Sequence, residues 1–145
     1  MNDEKQSGFR QIAAWQRSDD LASAVWPIIR SLPRISDPLP RQLFGAALSV
    51  PANIAEGYGR SLRDYMRFLE ISSGSLNEVE NYLHFIRRNE LLKSEQIERA
   101  EDFRRQTGAI LFRLRQGLMA KAKDAEPWKR GLMREDLEPY PTAQE

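Results

Sequence analysis

Between Arg41 and Glu56 the chain runs 14 residues without a charge, from Gln42 to Ala55. Leu43, Ala46, Ala47, Val50 and Ile54 repeat as one helical stripe. Phe44, Leu48, Pro51 and Ala55 make a second about 100° away, and Gly45, Ser49 and Ala52 a third made of small residues. A helix that is apolar or small all round is buried all round. The stretch is short of the ~20 apolar residues of a membrane span and contains Ser49, Pro51 and Asn53. A chain of 145 residues is one domain. A single bundle of that size cannot cover this helix on every side, so the segment predicts a homo-oligomer.

The remaining periodicity is helical too, with no sustained alternation of the strand type. A first helix is expected from about Ala14 to Ser31, with Leu21, Val25, Ile28, Ile29 and Leu32 inward and Pro27 kinking its last turns. Leu32 to Pro40 holds three prolines and reads as a connection. The second helix runs from about Pro40 to Glu56 and stops at Gly57 or Gly59. A third begins at Ser61, whose spacing to Asp64 resembles a capping box, and reaches about Asn89. Its seam reads Tyr65, Phe68, Ser72, Ser75, Val79, Tyr82 and Ile86. A fourth runs from Ser94 to about Ala122 through Ile97, Ala100, Phe103, Thr107, Ile110, Leu114 and Leu118. Its acids come early and its bases late, matching the helix dipole. The expected fold is all-α, an up-down four-helix bundle over residues 9–125. Residues 1–8 are expected to be disordered, and 126–145 to be a tail, flexible or docked through Trp128 and Leu132.

The chemistry available is narrow. There is no cysteine, which excludes disulfides, a thiol nucleophile and cysteine-ligated metal. The one histidine, His84, excludes a histidine-pair site, and Glu80 four residues before it reads as an exposed helical pair. Neither a metal nor a cofactor is expected. The 22 Lys+Arg balance 21 Asp+Glu, so any affinity for nucleic acid must be local. The opening residues lack the apolar core of a secretory signal, and a cytoplasmic protein without a membrane partner is expected.

Four groups invite a functional reading. From Arg104 to Lys123 the chain carries Arg104, Arg105, Arg113, Arg115, Lys121 and Lys123 with no acid between them, a basic helix face that would hold phosphates. The Gly57–Ser61 turn with Arg60, Arg63 and Arg67 resembles a phosphate cradle, but it follows no strand and lacks a nucleotide-loop lysine; a glycine-stopped helix is the plainer reading. Asn53, Glu56, Ser72, Ser75 and Glu78 read as a polar network between the second and third helices, and Glu56 with Glu78 as the only carboxylate pair on which an enzyme could be argued. Trp15-Gln16 offers a ligand-stacking ring, though a lid on one bundle end is the plainer reading. Phe44, Leu48, Ile71, Phe85, Phe112 and Met119 lie off the inward stripes and are the candidate subunit contacts.

The run Ser49-Val50-Pro51-Ala52-Asn53-Ile54-Ala55-Glu56-Gly57-Tyr58-Gly59-Arg60, with Arg67-Phe68-Leu69 and Gly74-Ser75-Leu76-Asn77-Glu78, resembles the four-helix-bundle family encoded in intervening sequences of bacterial 23S rRNA genes. Trp15-Gln16 and Asp20-Leu21-Ala22 extend the resemblance to about residues 9–123, while Pro27 and Ser73 depart from its pattern. The resemblance implies a ring of five subunits. It also implies kinship with accessory proteins of diversity-generating retroelements, which bind nucleic acid and a reverse transcriptase, and it implies no catalytic residues. Asn53, Glu56, Gly57, Arg60, Ser75 and Glu78 are the matching motif, read as a junction of the second and third helices. The expected function is a non-enzymatic, homo-oligomeric scaffold that binds RNA or DNA, with a purely structural or protein-partner module as the alternative.

Overall fold

The computed structural model describes residues 8–124, so the expectations for residues 1–7 and for the tail lie outside the described residues. A 3-10 turn, Gly8–Gln11, leads into four helices: α1 (Ala13–Ser31), α2 (Leu39–Gly57), α3 (Leu62–Arg88) and α4 (Ser94–Asp124). No strand occurs among the described residues. Each helix packs on two neighbours in the cyclic order α1, α2, α3, α4, with α4 closing on α1. Pairings that run in opposite order, Val50–Ser72 with Ser49–Ser75 and Glu80–Arg104 with Ser73–Arg115, set α3 antiparallel to α2 and to α4, as expected of an up-down arrangement.

The core is aliphatic. Leu21, Val25 and Ile28 from α1 meet Leu43, Val50 and Ile54 from α2, Leu69, Val79, Leu83 and Ile86 from α3, and Ile97 and Leu111 from α4. On α3 the expected seam is incomplete. Ser72, Ser75, Val79 and Ile86 are buried, but Tyr65, Phe68 and Tyr82 are half-exposed, and Leu69, Leu76 and Leu83 form a buried stripe beside them. The reason is that α3 faces two neighbours, so its inward sector is wider than one coiled-coil seam. On α4, Leu111 is likewise an unanticipated core residue, while Phe103, Ile110 and Leu114 pack at its margin.

α1 runs through Pro27, whose ring is exposed, and the Ser31 hydroxyl donates to the Pro27 carbonyl at 2.9 Å. Gly57 is the last residue of α2, and Gly59 takes the turn at φ 79°. The Ser61 oxygen accepts from the Asp64 amide at 3.2 Å, capping α3. Gly8, expected to be disordered, instead begins the 3-10 turn: a Cβ there would meet the Tyr58 hydroxyl at 2.5 Å. Phe9 meets Trp15 edge-on at 5.3 Å, and the Gln16 amide donates to the Arg10 carbonyl at 2.8 Å. Trp15-Gln16 therefore fastens this segment over one end of the bundle, as expected of a lid.

Candidate nucleic-acid interface

The polar residues between α2 and α3 are consumed by packing. Ser72 donates to the Val50 carbonyl at 2.9 Å, and Ser75 donates to the Ser49 hydroxyl at 2.8 Å. Asn53 donates to the Ser49 carbonyl and hydroxyl at 2.8 and 2.9 Å. No buried side-chain nitrogen or oxygen among the described residues lacks a partner.

The expected network thus contains Asn53, Ser72 and Ser75 but neither acid. Glu56 is exposed and pairs with Arg60, whose guanidinium lies 5.0 Å from the Phe68 ring centre. Glu78 is exposed, with no partner among the described residues. Glu56 lies level with Tyr65 and Phe68, where Gly57 meets α3. Glu78 is some ten residues further along α3, roughly 15 Å at 1.5 Å per residue. Paired carboxylates in glycosidases stand about 5–9.5 Å apart. The pair on which an enzyme was argued is not brought together.

The Gly57–Ser61 turn is a helix stop. A Cβ on Gly57 would lie 2.8 Å from the Phe68 Cβ, so glycine there permits the close approach of α2 to α3. Asp64 in the first turn of α3 opposes an anion. Tyr65, packed beside this turn, has its pKa raised from the ordinary 10.0 by burial and then by Tyr58. His84 is exposed, and Glu80 turns to Arg104 rather than to His84. No group of three metal-ligating side chains converges among the described residues.

The six cations of α4 do not share one face. The buried Ile97, Ala100, Thr107, Leu111 and Leu118 mark the inward sector. At about 100° per residue, Arg104 and Arg115 border that sector, while Arg113 points about 150° away from its centre. Arg105 and Lys123 lie about 130° to one side, and Lys121 about 70° to the other. The bordering pair is taken up by α3: Arg104 reaches Glu80 at 3.3 Å, and Arg115 donates to Ser73 at 3.2 Å. Ser73 thus serves as an acceptor for α4. Arg105 sits 3.7 Å from Asp102. Arg113, Lys121 and Lys123 are exposed, with no carboxylate partner among the described residues.

The apolar candidates fall on two separate surfaces. Gly45, Leu48 and Ala52 line the outer side of α2, opposite its core stripe, and all three are exposed. Ile71 and Phe85 lie on the α2 side of α3, about 100° and 140° from its inward centre. Phe112, 60% exposed, and Met119 flank the α3–α4 seam, where a Cβ on Gly108 would meet Leu76 at 3.5 Å. Phe44 is different: it is half-buried beneath Trp26, their ring centres 5.3 Å apart. Sequence reasoning passed over Trp26, which is 48% exposed despite its size. The signal for it was azimuthal, since Trp26 lies off the Leu21–Val25–Ile28 stripe.

This geometry defines an all-α bundle whose polar junction is structural and whose outer surfaces carry unpaired cations and uncovered apolar residues. The chain belongs to the 23S rRNA-intervening sequence protein family, whose pattern matches residues 10–113. It is also similar to the crystal structure of a protein of unknown function from the S23 ribosomal protein family of Bacteroides thetaiotaomicron VPI-5482. The identity is 22% and the TM-score 0.65, over 70% of this chain and 97% of that one, a likeness of fold. No curated protein matches the sequence. No described helix is long and apolar enough to cross a membrane.

Proposed function

We propose that the protein is a non-enzymatic, self-assembling scaffold that binds nucleic acid through the outer half of α4. The observation that carries this reading is the set Arg113, Lys121 and Lys123, exposed and without acidic partners on a bundle that also leaves apolar surface open. Phosphate contacts need local cations, not a high net charge, and an assembly gathers the spread cations of several copies.

Two apolar surfaces at different places on one protomer favour head-to-tail contacts, which close into a ring when the rotation allows it. Leu48, Ile71 and Phe85 would meet Phe112 and Met119 of the next copy, and the five-subunit ring expected from the resemblance is one such closure. Phe44, covered by Trp26, drops out of this interface.

Light scattering tests the assembly: the full chain is a defined oligomer and Leu48→Glu is smaller. Oligonucleotide binding tests the ligand. Affinity falls with salt, and each lost cation flattens the log–log slope by about 0.7 on single strands. A monomeric chain at working concentration overturns the scaffold, and binding that is absent or indifferent to salt overturns the nucleic-acid assignment.

A further inference from the structure

The surface where α1 hands over to α2 carries an exposed indole among arginines, a broader stacking platform than the Phe112 ring beside Arg113 on α4. Trp26 lies on the outer side of α1 and rests against Phe44 of α2, ring centres 5.3 Å apart and planes inclined by 48°. Arg30 follows one turn later on the same face of α1, and Arg34 lies in the short turn beyond. Arg41, one turn before Phe44 on α2, completes the group. Arg30 and Arg34 are exposed, and no carboxylate among the described residues pairs with either. The nearby acid, Asp37, is held by Arg41 at 3.0 Å through contacts that are open to solvent. Asp19, the other acid on this face of α1, lies about two turns upstream of Trp26.

We infer that this surface is a docking site for single-stranded nucleic acid, with one base stacked on Trp26 and the flanking phosphates held by Arg30 and Arg34. The inference rests on the nucleic-acid reading above and deepens it by naming the strand state and a second contact region. Phe44 holds the indole from beneath and leaves its outer surface to a ligand. Base stacking on an exposed aromatic, beside cations that track the backbone, is the physical pattern of sequence-tolerant single-strand binding. A base inside a duplex is already stacked and cannot reach the ring.

The test uses the full chain and short oligoadenylate, with a duplex of equal length as the second probe. Oligoadenylate quenches part of the tryptophan emission, and that part is missing in Trp26→Phe. The duplex leaves it unquenched. Trp26→Ala weakens oligoadenylate binding about tenfold, in line with the loss of one stacked base. The double variant Arg30→Ala/Arg34→Ala flattens the salt slope by about 1.4. Circular dichroism holds steady throughout, because all three side chains are exposed.

Oligoadenylate binding that persists in Trp26→Ala, and weakens only in Arg113→Glu, overturns this inference while leaving the proposed function standing. Equal quenching by the duplex overturns it as well. A change in oligomer size in Trp26→Ala at unaltered oligonucleotide affinity assigns the surface to a second copy and overturns it. A chain that binds neither probe overturns both readings.

Discussion

The α2–α3 seam and the outer half of α4 are both rich in residues that invite a functional reading, and they use them in opposite ways. In the seam, Ser49, Asn53, Ser72 and Ser75 bond one another or a backbone carbonyl, and Gly57 lets α2 close on Phe68. Small polar residues there replace bulk that would hold the helices apart, and buried polar groups persist because each is bonded. On α4, Arg113, Lys121 and Lys123 are left with solvent, and Phe112 is open beside them. Hydrogen-bonding capacity spent inside the protomer is unavailable to a ligand. Residues of conspicuous type are therefore candidates for binding only where folding has left them unspent.

The sharpest break of that contrast lies at Gly57. Gly57→Leu forces Phe68, whose Cβ cannot swing aside, and is expected to cost about 1–3 kcal/mol in urea unfolding. A smaller loss is expected for Ser72→Ala, about 0.5–1.5 kcal/mol, since the Val50 carbonyl loses its second donor in a fully buried position.

Tyr65 then sharpens the seam's pH response. Its folded pKa lies above the unfolded 10.0, so the neutral phenol is the form that folding favours. The stability it contributes is whole below pH 10.0 and is lost as pH rises towards the folded value. Melting curves taken either side of pH 10.0 are expected to show a shallower alkaline decline for Tyr65→Phe than for the parent.

Least of all should be the stability change in Arg113→Glu, within about 0.5 kcal/mol because the side chain is exposed and lies before the last turn of α4. The same variant is expected to lose oligonucleotide affinity. An unfolding midpoint that drops as far as that of Gly57→Leu would erase the distinction between the two regions.

Much of the fold was legible in the chain. Helix bounds came within two residues because Ser61, Gly57 and the prolines around Ser36 mark ends through local backbone chemistry. The α2 core stripe was read correctly for the same local reason, as Leu43, Ala46, Ala47, Val50 and Ile54 repeat with the helical period. Leu69, Leu76 and Leu83 were missed because one stripe was assigned to a helix that serves two neighbours. Glu56 and Glu78 were placed in one network from proximity in a motif, although their separation depends on how α2 slides against α3.

Sequence by itself determined where the helices begin and end, which residues share an azimuth, and that α2 would show an uncharged outer side. Tertiary structure alone decided which polar groups remain for a ligand. Arg115 finds Ser73 and Ser72 finds Val50 across 42 and 22 residues of chain, and a register of that kind is set by side-chain packing between helices. The helical period is a property of the backbone and is written locally. The slide of one helix along another is settled by the whole core at once.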